Sequence, residues 1–198
     1  KAADSARLST GHLDSIDSPR HHLAMFSIRF AQPKDWPSTW AVLEPIFRSG
    51  ETYAMDRRID EQSARRDWFS RPLRTFVACD TDGRVLGTSI IKANQDGGGA
   101  HVANAAFAVD PAARGRGVAS TLCVHAQDHA HSLGFTAMQF NFVVATNLGA
   151  LRLWKRLGFA IVGTLPDAFD HPVHGRVDAH VMHKPLTGNE SLFTETPS

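Results

Sequence analysis

A chain of 198 residues with 42% hydrophobic side chains is long enough for one well-buried domain and short for two. A formal net charge of +1 gives no general reason to expect nucleic acid or an anionic membrane surface as a partner. Two cysteines, Cys79 and Cys123, both in apolar contexts, make neither a disulfide framework nor a zinc pattern and fit a reducing cytoplasm, and no apolar run approaches the ~18–20 residues that span a bilayer.

Residues 1–24 are rich in Ser, His, Asp and Arg, lack a secretory pattern and read as a flexible tail. The domain is expected over 25–186, with a second tail over 187–198. FSIRFAQP reads as a first strand stopped by Pro33. Residues 34–49 carry Trp36, Trp40, Val42, Leu43, Ile46 and Phe47 at helical spacing, interrupted by Pro37 and Pro45. ETYAMDRRID is a polar loop holding the sole tyrosine, Tyr53, and EQSARRDWFS suits a short helix. RTFVACD and RVLGTSIIKA flank a TDG turn and form a hairpin; the loop NQDGGG leads to a third strand ending at Pro111. This part of the sheet is therefore an antiparallel meander.

The pattern then changes. VASTLCVHAQDHAHSLG suits a helix capped by Gly134, AMQFNFVVATN is a strand, and LGALRLWKRLG is a second helix ended by Gly158. Strand–helix–strand implies a right-handed crossover and one parallel pair. FAIVGTLP and RVDAHVMHKPL close the sheet, with FDHPVHG as a long loop between them. The expected fold is α/β (α+β): a mixed, mostly antiparallel sheet with flanking helices.

The loop VDPAARGRGVAS lies between a strand and a helix. Gly115 and Gly117 permit a tight bend and close backbone approach. The amides at the start of the following helix and the charges of Arg114 and Arg116 suit a pyrophosphate. The triphosphate pattern GxxxxGK[ST] is absent, and a dinucleotide fingerprint is poorly matched because antiparallel strands precede the loop. A plain helix-capping loop with solvated arginines is the competing reading for RGRG taken alone.

The order of elements and two motifs resemble the GCN5-related N-acetyltransferase (GNAT) family over roughly residues 26–186. The family's loop Q/R-x-x-G-x-G/A is matched by Arg114, Gly117 and Ala119. Its second signature, N-x-x-A-x-x-L-[YW]-x-x-x-G-F, is matched by Asn147, Ala150, Leu153, Trp154, Gly158 and Phe159. The resemblance implies that strands 101–109 and 137–146 splay apart and admit the pantetheine arm of acetyl-CoA. Pyrophosphate would rest on Arg114, Gly115, Arg116, Gly117, Val118, Ala119 and Ser120. Ala108 and Val109 would supply a backbone N–H to the thioester, and Asn147 and Trp154 would border the cofactor. The acceptor would be a small amine or amino acid, attacked directly in a ternary complex. Homodimers are the family's habit.

Asn104 and Asn141 in the paired strands resemble a narrower branch, the azetidine-2-carboxylate acetyltransferases. That likeness gives Asn104 a catalytic, amine-orienting role and makes Asn104, Asn141, Asn147 and Tyr53 acceptor ligands. A structural amide bracing the splay is the alternative for Asn104 and Asn141. Many members carry Tyr where this chain has Trp154, and an indole is no practical acid; Tyr53 is the sole phenol available for a catalytic role. The absence of an evident base leaves open a catalytically silent CoA-binding sensor, with a protein lysine acetyltransferase as a further alternative. His125, His129 and His131 read as surface histidines rather than metal ligands, and Cys123 as a small apolar residue.

Overall fold

The computed structural model describes residues 26–186; the two expected tails lie outside the described residues. Seven strands form one sheet in the order β1-β2-β3-β4-β5-β7-β6. They are β1 Phe26–Phe30, β2 Arg74–Asp80, β3 Val85–Ala93, β4 Val102–Val109, β5 Ala137–Val144, β6 Ala160–His171 and β7 Gly175–Pro185. Every pairing is antiparallel except β4 with β5. That parallel pair requires a crossover, and α3, Val118–Ser132, supplies it.

Two layers of helices cover the sheet. On one face α3 and α4 (Leu148–Arg156) bury Cys123, Ala126, Leu151 and Trp154 against Phe76, Ile91, Met138 and Phe140. On the other, α1 (Trp36–Ser49) and α2 (Glu61–Arg65) place Trp36, Leu43, Phe47 and Ala64 over Val77, Val85, Ile90 and Ala108. Alternating side chains along each strand feed the two cores in turn.

Neither proline interrupts α1. Pro37 sits in its first turn, where backbone N–H groups have no partner in any case. Pro45 lies inside the helix, and the buried residues Val42, Leu43 and Phe47 on either side hold the helix together despite the missing bond. Gly50 ends α1 at φ 66°, turning the chain into the 51–60 loop. The helix over EQSARRDWFS starts at Asp60, whose side chain accepts from Ser63 N, and finishes as a π-helical turn over Arg66–Ser70. That turn directs Trp68 into the core, 3% exposed.

Three further expectations change. FDHPVHG is not a long loop: β6 continues through His171, pairing Phe169 with Val177 and His171 with Gly175. Buried Phe169, packed on Phe142 at 6.1 Å between ring centres, makes strand the better conformation there. His125 and His129 are half-buried rather than surface side chains, each edge-on to Phe76 at 4.6 and 5.0 Å. Asn141, which its apolar neighbours Phe140, Phe142 and Val143 mark in the sequence as a buried amide, is exposed. Among the described residues no helix is long and apolar enough to cross a membrane.

Candidate active site

The parallel pair opens part-way along its length. β4 and β5 are joined at Val102–Ala137, Ala103–Met138 and Asn104–Gln139, and no further, although they run on to Val109 and Val144. Asn104 stands at the last rung. Its Nδ2 donates to the Gln139 carbonyl at 2.9 Å, a side-chain bond where the ladder gives out.

The alternation of a strand decides which backbone groups face the opening. Asp110 N donates to Leu86 O and Val102 O accepts from Asn94 N, so even-numbered residues of β4 address β3. The N–H and C=O groups of Ala105, Phe107 and Val109 therefore point at the gap. One of these carbonyls is occupied: Tyr53, from the loop after α1, donates its hydroxyl to Phe107 O at 2.6 Å. Burial pushes this phenol well above its ordinary value, so it keeps its proton.

The gap broadens into a cleft of about 830 Å³, within the range of ligand sites. Its one end is the start of α3. Gly117 is the N-cap at φ 81°, and no side chain caps the helix. Ser120 Oγ and Thr121 Oγ1 turn back onto Gly117 O, at 2.8 and 3.1 Å, leaving the first-turn N–H groups free for an anion. A Cβ at Gly115 would meet nothing within 4 Å, and one at Gly117 only Ser120 Oγ at 3.8 Å. The backbone there is open to a ligand, and these residues fit the pyrophosphate of acetyl-CoA.

The start of α4 forms another wall. Asn147 caps it, its Oδ1 accepting from Ala150 N at 3.2 Å, and its side-chain nitrogen has no partner among the described residues. Trp154 lies about two helix turns beyond that cap, 8% exposed, with ring centres 5.2 Å from Phe107 and 5.1 Å from Phe140. From other elements, Ile46, Glu51, Thr52, Tyr53, Phe142 and His171 also line the cleft.

Of the residues expected at the site, Tyr53, Ala108, Val109, Arg114, Gly115, Gly117, Val118, Ala119, Ser120, Asn147 and Trp154 all line this cleft. Arg116, Asn104 and Asn141 do not. Asn141 accepts from Gln139 Nε2 at 2.8 Å and donates to Asn94 Oδ1 at 2.7 Å, which uses both ends of its amide. Cys123 is fully buried and accepts a bond from Gln127 Nε2, and burial pushes its thiol up to about 12, which removes it as a nucleophile. Phe142 was not expected; His171 was expected in the FDHPVHG loop, a segment that can border the acceptor site, and it does line the cleft. The histidine is carried in by the extension of β6, which a proline-interrupted sequence does not announce.

The sequence pattern of the acetyltransferase (GNAT) family matches residues 36–159. The chain belongs to this family. A relative named N-acetyltransferase aca1, from Schizosaccharomyces pombe, is 30% identical over 148 residues, 67% of this chain and 71% of that protein. The structure of a GCN5-related N-acetyltransferase from Kribbella flavida is 48% identical, covers 82% of this GNAT chain and 98% of its own, and superposes with a TM-score of 0.79. A GNAT superfamily phosphinothricin acetyltransferase from Sinorhizobium meliloti, solved in complex with acetyl-CoA, is 21% identical, with coverage of 87% and 97% and a TM-score of 0.74; that likeness concerns the fold. This GNAT chain is an acetyltransferase, and its cleft lies where the two family motifs meet across the open strands.

Proposed function

We propose that this acetyltransferase transfers an acetyl group from acetyl-CoA to the nitrogen of a small amine or amino acid, by direct attack in a ternary complex. The observation that carries the reading is the unzipping of β4 from β5 beyond Asn104–Gln139, which lines a cleft with backbone donors between an uncapped helix start and an aromatic-walled pocket.

Acetyl-CoA supplies the activated thioester. In this reading the amides of Gly117–Ser120 and the guanidinium of Arg114 hold the pyrophosphate. The Asn147 amide nitrogen donates to the pantetheine arm. The N–H of Val109 faces the opening and polarises the thioester carbonyl, a preorganised donor that stabilises negative charge as the amine attacks. Tyr53 occupies the Phe107 carbonyl and fixes the peptide beside it. Trp154 packs at the sulfur end without supplying a proton. Holding both reactants in line contributes much of the rate.

Asn104 enters this proposal through its Oδ1. The Nδ2 is committed to Gln139 at the closed apex of the splay, and the remaining carbonyl oxygen is suited to accept an N–H from an amine that reaches that apex. Asn141 supports that edge through Gln139 and Asn94. A cyclic imino acid such as azetidine-2-carboxylate is the narrow form of the proposal. The chain is further proposed to act as a homodimer: β6 is an edge strand that exposes Ile161, Val162 and Leu165, and an unpaired edge of this kind invites a partner.

A second reading, a CoA-binding sensor without turnover, is favoured by Trp154 at the position of the family's phenol. Thiol release from acetyl-CoA separates the two. The panel contains azetidine-2-carboxylate, proline analogues, phosphinothricin, methionine sulfoximine, polyamines and a lysine peptide. The proposal expects release with a small amine or amino acid; protection of the fold by acetyl-CoA with silence across the panel would establish the sensor.

A further inference from the structure

We propose that His171 selects the acceptor by its carboxylate: the Nε2–H of this ring donates into the acceptor end of the cleft and reads an anionic oxygen, favouring amino acids over simple amines. The inference rests on the acetyl-transfer reading and narrows its substrate class.

His171 is 7% exposed, yet it lines the cleft. Its Nδ1 lies 3.2 Å from Val173 N and 3.3 Å from His174 N, and both of those groups are donors. Nδ1 must therefore present its lone pair. A neutral imidazole with Nδ1 as acceptor carries its proton on Nε2. The local turn, a side chain accepting from the backbone two and three residues on, thus selects the tautomer. Nε2 has no hydrogen-bond partner among the described residues.

Two neighbouring rings hold the imidazole in place. Phe169 packs against it at 6.2 Å and His174 at 4.6 Å between ring centres. The pairing of His171 with Gly175 fixes its backbone. A donor held in this way meets its ligand with little further ordering.

Two partners compete for that N–H, and their chemistry separates them. An attacking amine needs its lone pair for the thioester carbon and offers the ring nothing to accept with. In this tautomer Nε2 has no lone pair either, so it takes no proton from the amine. What suits the position is an oxygen on the acceptor beside its nitrogen, as in an amino acid carboxylate. Arg114 and Arg156 also line the cleft, but Arg114 sits on the loop that opens α3 and Arg156 at the last turn of α4, on elements other than the β6 extension that carries His171. An acceptor that buries Nε2–H without an oxygen leaves a polar group unpaired, which weakens binding.

The test compares kcat/KM for an amino acid and for its methyl ester, in the wild-type protein and in His171→Asn. The shorter Asn side chain presents Oδ1 to Val173 N and His174 N and so keeps the turn, but withdraws the donor from the cleft. The wild type is expected to prefer the free acid by about tenfold or more, the effect of one hydrogen bond to a charged group. His171→Asn is expected to lower that ratio about tenfold, chiefly through KM for the acid. His171→Gln, whose amide reaches further, should recover part of it.

An unchanged ratio in folded His171→Asn would overturn the inference. So would an equal fall in kcat for acid and ester with loss of a limb of the pH profile, the mark of a base. Should the Asn variant fail to fold, the wild-type preference still decides: turnover of esters and amines as readily as acids refutes the role of His171 and leaves acetyl transfer standing. A wild type that binds acetyl-CoA and releases no thiol with any acceptor refutes the transfer reading itself.

Discussion

The hydroxyl of Tyr53 donates a 2.6 Å hydrogen bond to the carbonyl of Phe107, 54 residues further along the chain, and so ties the loop after α1 to the open half of β4. The ring is wedged edge-on between Phe47 at 5.4 Å and Trp68 at 5.9 Å. Burial keeps the phenol protonated, and its proton is already committed to a carbonyl. The role proposed for Tyr53 is therefore to hold the peptide next to the Val109 N–H.

Tyr53→Phe keeps the packing and removes this bond. Acetyl-CoA affinity should stay within about threefold, while kcat falls about tenfold, in line with the loss of one ordering hydrogen bond. The limbs of the pH–rate profile should not move. Steady-state kinetics across pH, with calorimetric binding of acetyl-CoA, checks this. Disappearance of a limb in the variant would instead make Tyr53 a titrating acid.

Gly117 is held at φ 81° at the start of α3. A β-branched side chain there is strained by the backbone alone, by about 1–2 kcal/mol. Gly117→Val should also turn the amides away from the pyrophosphate. The stabilisation by saturating acetyl-CoA, which follows mass action, should largely vanish in the variant. Thermal unfolding with and without ligand gives the answer, and an undiminished shift would remove this loop from the cofactor site.

The two half-buried histidines of α3 make stability depend on pH. Desolvation, then the charge of His129, lowers His125 below its ordinary 6.5, and desolvation, then Arg74, lowers His129. Buried ring nitrogens His125 Nδ1 and His129 Nε2 have no hydrogen-bond partner among the described residues. The unfolded chain binds protons at a higher pH than the folded one. Stability is therefore undiminished above about 6.5, falls as pH drops below that value, and levels off below the depressed folded values. Urea denaturation between pH 7.5 and pH 5 should show the loss, and His125→Phe should reduce it.

Thr88 links two buried groups. Its Oγ1 accepts from Trp68 Nε1 at 3.0 Å and donates to Phe76 O at 2.9 Å, with the threonine wholly buried. Thr88→Val leaves the indole N–H without an acceptor inside the core. The expected loss of stability is about 1–3 kcal/mol, measured by denaturant unfolding with m unchanged.

Much of this architecture is legible in the residues. The TDG turn and the crossover from 110 to 137 place the antiparallel meander and the parallel pair directly, and the paired motifs at Arg114–Ala119 and Asn147–Phe159 mark the proposed cofactor end. What escapes is set by long-range packing. Pro45 reads as a break because propensity is local, while the burial that keeps α1 whole comes from β3 and α2. Asn141 reads as buried because its neighbours Phe140 and Phe142 are apolar, yet alternation gives it the other face. His171 looks like a loop residue until Phe169 packs on Phe142 and draws β6 outward. The hydrogen bond from Tyr53 to a backbone carbonyl leaves no trace in side-chain identity at all.

The most direct measurement is a competition, read by mass spectrometry of the products. The protein is given acetyl-CoA with azetidine-2-carboxylate, proline, phosphinothricin, spermidine and a lysine peptide together. The account predicts that an amino acid or imino acid leaves carrying an acetyl group on nitrogen, with CoA released in equal amount. Acetylation confined to the lysine peptide, or none while acetyl-CoA still protects the fold, would contradict it.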